Sequence, residues 1–95
     1  MPGTWKVEVL LEMSWEEAER QVPPTMAMLE QAQDGVVLSC YTQELSWMAS
    51  FLVGLRCPLI VREPPELHEA LRTLAEEIVQ LAERSEERYR ASRPL

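Results

Sequence analysis

Arg62-Glu63-Pro64-Pro65-Glu66-Leu67 is the stretch of sequence that decides the fold. The compact apolar run from Cys57 to Val61 precedes it and predicts a buried fourth strand. The prolines end that strand, because proline has no amide hydrogen to donate, and proline is favoured at the first position of a helix. A third helix is therefore predicted to follow, and its spacing fits docking on the same domain or pairing with another helix. Its apolar positions are Leu67, Leu71, Leu74, Ile78 and Leu81.

The N-terminal part of the chain predicts a strand followed by a short helix. Apolar and polar residues alternate from Trp5 to Met13, which is typical of a strand with one buried face. Ser14 and Glu17 then have the spacing of a capping box, which predicts a helix from about Trp15 to Gln21. The Pro23-Pro24 pair ends that helix.

A hairpin is predicted next, from Thr25 to Gln33 and from Val36 to Tyr41, around Asp34-Gly35. That dipeptide readily takes the positive backbone angles of a two-residue turn. With a turn of this length, the predicted cross-strand pairs are Leu29 with Cys40 and Met28 with Tyr41, and a looser turn would shift them.

A second, amphipathic helix is predicted from an N-cap at Thr42 to a stop at Gly54. Its apolar stripe is Leu45, Met48, Ala49, Leu52 and Val53. The full order, strand, helix, strand, strand, helix, strand, helix, predicts an α+β fold: a ferredoxin-like βαββαβ antiparallel sheet with an added C-terminal helix. We expect one domain over residues 1–95, with its core at 5–82 and a polar helix end or tail at 83–95.

The alternation of the strands predicts which residues lie on the sheet face that the first two helices leave open. Four of them are more apolar than a solvated face needs, so a contiguous patch there would mark a contact site or the seat of the third helix. If the third helix does not cover this patch, a neighbouring domain or a second protomer is expected to do so. These candidate interaction residues are Leu10, Met28, Tyr41 and Ile60.

Composition limits the classes of function. The 95 residues carry a formal net charge of −7, which opposes direct binding of this segment to duplex DNA. No run is long and apolar enough to span a membrane, and the N-terminus lacks a signal-peptide pattern, so we expect a cytoplasmic chain without a membrane partner. With two cysteines and one histidine, the sequence predicts no metal site, no catalytic residues and no cofactor.

The chain resembles the C-terminal extension, or WCX domain, of bacterial WYL-domain transcriptional regulators. The resemblance covers roughly Val7 to Leu81. It is carried by the Ser14-Trp15-Glu16-Glu17-Ala18 helix start, by Asp34-Gly35, by the helix from Leu45 to Leu55, and above all by the junction from Cys57 through Glu63-Pro64-Pro65-Glu66-Leu67 to Arg72. This sequence departs from the family pattern at Leu55-Arg56, where we expect Leu-Gly or Phe-Gly.

The resemblance implies a non-catalytic regulatory and dimerisation domain, a fragment of a larger regulator that couples effector state to a separate DNA-binding domain. It implies a homodimer or docking to a WYL sensor domain, and a nucleic-acid effector, single-stranded DNA in some members, shared with that sensor. Arg56 and Arg62 are the candidate anion contacts, with surface pairing to glutamates as the alternative. The alternative function is a freestanding ACT-like small-ligand sensor.

Overall fold

Residues 4–93 form four antiparallel strands and three helices, and the order of these elements confirms the predicted ferredoxin-like fold. The computed structural model describes residues 4–93. The elements are β1 (Trp5–Leu11), α1 (Trp15–Gln21), β2 (Met28–Ala32), β3 (Gly35–Thr42), α2 (Leu45–Gly54), β4 (Leu59–Glu63) and α3 (Glu66–Ser92). The strands lie in the order β2-β3-β1-β4, so β1 and β3 are central and β2 and β4 are the edge strands.

The core lies between one face of the sheet and the helices. The period of two in the strands and of three to four in the helices puts apolar side chains on the facing surfaces. Removing this apolar area from water is the main stabilising contribution to the fold. The clustered core side chains that are less than 2% exposed are Val7, Val9, Leu11, Val22, Leu38, Met48, Ala49, Leu52 and Leu67.

Helix α1 begins and ends where its sequence predicts. The Ser14 hydroxyl accepts a hydrogen bond from the backbone N–H of Glu17 at 3.2 Å, which satisfies one of the free amides of the first turn. The Glu17 carboxylate accepts from the Gln21 side chain at 2.7 Å and pairs with Arg20. These contacts lower the pKa of Glu17, the Gln21 hydrogen bond most.

The register predicted for the β2–β3 hairpin is wrong by two residues. Met28 pairs with Ser39 and Leu29 with Leu38, and the turn consists of residues 33–34. Gly35 belongs to β3 instead, with φ +153°, and a Cβ built on it would lie 2.1 Å from the Leu11 carbonyl oxygen. The glycine is thus required by the close approach of β1. A shift of two residues keeps each side chain on its predicted face.

The connection from α2 to β4 differs from the prediction in detail. Helix α2 begins after Glu44, whose N–H donates to the Thr42 hydroxyl at 3.2 Å, so Thr42 supports the turn without being the N-cap. The left-handed residue after the helix is Arg56, with φ +60°. Strand β4 starts at Leu59, two residues later than predicted. Gly54, where the helix was predicted to stop, is its last residue.

Replacing Arg56 by glycine is expected to stabilise the domain. A side chain in the left-handed region crowds the following carbonyl, and glycine avoids that cost but loses more entropy on folding, which leaves a net gain of about 0.5–1 kcal/mol. Chemical denaturation would measure it. Arg56→Ala is the matched control, because it removes the guanidinium and keeps the strained angle. Equal stabilisation by both variants would show that the backbone angle is not the cause.

Helix α3 docks through its first turns and then leaves the body of the domain. Leu67 is completely buried, and Ala70, Leu71 and Leu74 pack partly against the core beside α2. Every residue from 75 to 93 is exposed. The 27-residue helix is about 40 Å long at the usual rise per residue, and the long axis of the molecule is 55 Å. No helix in residues 4–93 is long and apolar enough to cross a membrane.

Candidate interaction surface

The face of the sheet opposite α1 and α2 carries the four candidate residues, and they form two separate groups. Leu10 on β1 pairs with Ile60 on β4. Met28 lies on the other edge strand, and Tyr41 is two residues from its partner Ser39, so these two side chains are diagonal neighbours rather than the direct pair predicted. The two groups are separated by Ser39 and its partner on β1. The structure thus brings the candidates onto one face, as two apolar corners.

Three of the four candidates are accessible to a partner. Met28 is 75% exposed, Tyr41 70% and Ile60 52%. Leu10 is only 6% exposed, because it lies in a central strand between Ile60 and Val37, to both of which it is paired. Leu10 therefore lies beneath the surface and offers a partner little contact area. Helix α3 does not cover this face, since its docked turns pack on α2.

Ion pairs lie on this face, and the Glu8 carboxylate of one of them stands between the two apolar groups, because Glu8 is the β1 partner of Ser39. Arg62 on β4 donates to the Glu8 carboxylate across the sheet at 3.3 Å. Lys6 lies 4.0 Å from the carboxylate of Glu63. An anion approaching Arg62 would have to compete with Glu8, although the pair is partly exposed and so contributes little to stability.

The corner around Met28 and Tyr41 is concave. A groove of about 590 Å³ begins there and runs past Lys6 and Ser39 to the segment before β2, which includes Thr25 and Met26. Its lining is mainly apolar, with the Lys6 ammonium and the hydroxyls of Thr25, Ser39 and Tyr41 as polar groups. Such a lining suits an apolar side chain or ring from a partner more than a charged ligand.

Arg56, the other candidate anion contact, lies away from Arg62. It stands at the turn between α2 and β4 and lines an open groove with Cys57, Pro58 and Leu71. Arg62 by contrast projects from the sheet toward Glu8. The structure therefore does not bring the two arginines into a shared contact, and each would have to meet an anion separately.

The surroundings of the two thiols disfavour their ionised form. Burial raises the pKa of Cys40, and burial also raises the pKa of Cys57, where a hydrogen bond with the Glu12 backbone acts in the opposite direction. A raised thiol pKa lowers the fraction of thiolate, which is the nucleophilic form. Within residues 4–93 no three His, Cys, Asp or Glu side chains are arranged to hold a metal ion.

The structure reveals a second exposed surface that the sequence interpretation missed. Trp47 is 51% exposed, and its ring stacks on Phe51 with centroids 5.8 Å apart. It borders a groove between α2 and α3 that also contains Ala70, Leu74 and Glu77. Val53, predicted in the apolar stripe of α2, is instead 45% exposed. An aromatic pair four residues apart in one helix was the available signal for this surface.

Comparison with known proteins identifies a domain family. A family model described as the WCX domain matches residues 4–79, which is most of the chain and includes all of the sheet and the docked part of α3. Neither the curated proteins nor the solved structures gave a match.

Proposed function

The chain belongs to the WCX domain family, and from this premise we propose that it is a non-catalytic regulatory and dimerisation domain of a bacterial WYL-type transcriptional regulator. In this role the domain transmits the presence or absence of an effector to a separate DNA-binding domain of the same regulator. We propose that the regulator is cytoplasmic. The observation that supports the proposal most is the open sheet face, where Met28, Tyr41 and Ile60 are exposed on a rigid four-stranded scaffold. Large apolar side chains grouped on an open face are typical of a surface that contacts another protein.

The partner that we propose for the open face is a neighbouring domain, the WYL sensor, or a second protomer. The two apolar corners offer anchor side chains, and the Arg62–Glu8 pair between them offers charged groups that can form hydrogen bonds with a partner. Where the effector is a nucleic acid, Arg56 and Arg62 remain the proposed anion contacts. Because they lie apart, we expect each to contribute separately.

Tyr41→Glu is expected to weaken docking or self-association through the sheet face by about tenfold or more, since a carboxylate would be desolvated in an apolar contact. Tyr41 is 70% exposed, so the fold should remain intact. Calorimetric titration with the WYL sensor domain of the same regulator would measure docking, light scattering would measure self-association, and circular dichroism would check the fold. Gln80→Glu is the control, because it adds the same charge on an exposed part of α3. Global unfolding of Tyr41→Glu would refute the assignment of Tyr41 to the open face.

The reading frame upstream of Met1 tests the proposal directly. A winged-helix segment followed by a WYL segment in that frame would support it. A complete, unrelated enzyme domain there would contradict it, because the module would then serve a different kind of protein.

A second candidate function is a small-ligand sensor of the ACT-like kind. The groove at the edge of the sheet, lined by Lys6, Met28 and Tyr41, favours it. Light scattering against concentration separates the two functions. Association without any ligand supports the interaction module, and association only when a ligand is added supports the sensor.

A further inference from the structure

The exposed half of α3 continues the same apolar stripe that docks on the body of the domain. The spacing of four and three residues that begins in the docked half continues into the exposed half, through Leu67, Leu71, Leu74, Ile78 and Leu81. Ile78 is 48% exposed and Leu81 68%. Helix α2 has only ten residues, so within residues 4–93 the stripe runs past its partner helix. Most of the stability of a helix in a protein comes from packing of its apolar face, which favours a further partner for this half.

The charges of α3 identify that partner. Residues 66–79 contain four glutamates against one arginine, whereas residues 80–93 contain four arginines against three glutamates. Two copies lying antiparallel would thus bring the acidic half of each helix beside the more basic half of the other. A parallel pair would instead bring like charges together, including Arg88 against Arg88 on the apolar seam.

We propose that α3 pairs antiparallel with α3 of a second copy of this chain, through Ile78 and Leu81. In heptad terms these two residues are the a and d positions of the seam, so a twofold axis places Ile78 of each helix against Leu81 of the other. Glu77 and Arg84 both occupy the position that flanks the seam on one side. The twofold axis therefore makes two reciprocal Glu77–Arg84 pairs. On the opposite flank, Ala75 and Ala82 are small enough for close approach.

The groove between α2 and α3 extends this contact. It has a volume of about 390 Å³ and is lined by Trp47, Glu44 and Glu77 among others. In the antiparallel pair, the turn of the partner helix that follows Arg84 reaches this groove and delivers Arg88. The exposed indole ring and the Glu44 carboxylate suit a guanidinium, which stacks on aromatic faces and pairs with carboxylates. The groove adds contact area to the dimer, because Ile78 and Leu81 by themselves would bury little surface.

The inference specifies the dimer contact of the proposed function and rests on its dimerisation part. Sedimentation equilibrium of the wild-type chain from low to high concentration is expected to show a monomer–dimer equilibrium. Leu81→Glu should raise the dissociation constant about 100-fold or more, because each dimer would bury two carboxylates. Glu83→Arg is the control on the far side of the helix and should change the constant by less than about threefold.

A charge exchange tests the antiparallel register. Glu77→Arg and Arg84→Glu alone should each raise the dissociation constant about tenfold at low salt, because each creates two like-charge contacts. The double variant restores both pairs with reversed sign and should return to within about threefold of wild type. A double variant weaker than either single one would overturn the register.

Two outcomes overturn the inference and are distinct from failure of the proposed function. A dimer dissociated by Tyr41→Glu and unaffected by Leu81→Glu would assign the dimer to the sheet face, and the proposed function would stand. A chain that stays monomeric at every concentration would refute the α3 contact and the dimerisation part of the function. Docking of the sensor domain to the sheet face would still be measured separately by calorimetry.

Discussion

Gly35→Ala is expected to lower the free energy of unfolding by roughly 2–5 kcal/mol, through a steric clash and a strained backbone angle together. The added Cβ would lie 2.1 Å from the carbonyl oxygen of Leu11, and φ at this position is +153°. Backbone atoms cannot move aside as a flexible side chain does, so β1 and β3 would have to separate at this end. Urea denaturation followed by tryptophan fluorescence would measure the loss.

Gly54→Ala is the matched control for this prediction. Gly54 is the last residue of α2, and a Cβ built on it has no neighbour within 4 Å. Alanine is the better helix former, so this variant should be neutral or more stable by about 0.5 kcal/mol. If both glycines tolerate alanine equally, the approach of Gly35 to Leu11 is not as close as described.

Leu67→Ala is expected to lower the free energy of unfolding by about 2–5 kcal/mol, the usual cost of a cavity left by a fully buried leucine. Leu67 is 0% exposed and belongs to the core cluster, and it is the completely buried residue of α3. The variant should therefore also loosen the attachment of the helix. Hydrogen exchange in the first turns of α3 would increase along with the global loss of stability.

Leu81→Ala is the control for Leu67→Ala. It removes the same atoms from the same helix, but Leu81 is 68% exposed and leaves no cavity in the monomer. Denaturation should be measured at concentrations where sedimentation gives the monomer mass, and the change should then stay within about 0.5 kcal/mol. A large loss in the monomer would mean that the exposed half of α3 packs on the domain after all.

Much of the fold followed from local patterns in the sequence. The alternation in β1 assigned each side chain to its correct face, and Ser14 with Glu17 gave the start of α1. The proline pair before Glu66 separated β4 from α3. These predictions succeeded because each depends on a residue and its near neighbours in sequence.

The candidate surface was predictable in part. Met28, Tyr41 and Ile60 are exposed on the open face, as alternation alone indicated. The burial of Leu10 was not predictable, because it depends on Val37 and Ile60 in two other strands. The exposed Trp47 was missed for a related reason, since the sequence did not show how far α2 extends beside α3.

By itself the sequence determined the kinds and order of the elements, the face of each strand and the family resemblance, because periodicity, capping and proline act over a few residues. Only the tertiary structure decided the hairpin register and the course of α3. The register depends on how closely β1 approaches Gly35. The exposure of the second half of α3 depends on where α2 begins, because Glu77 already lies beside Glu44, the residue before α2. Leu74 and Ile78 continue the same spacing and differ only in having a neighbour to pack against. Both the register and the exposure of α3 depend on contacts between segments that are far apart in the chain. Such contacts leave no pattern among residues that are close in sequence.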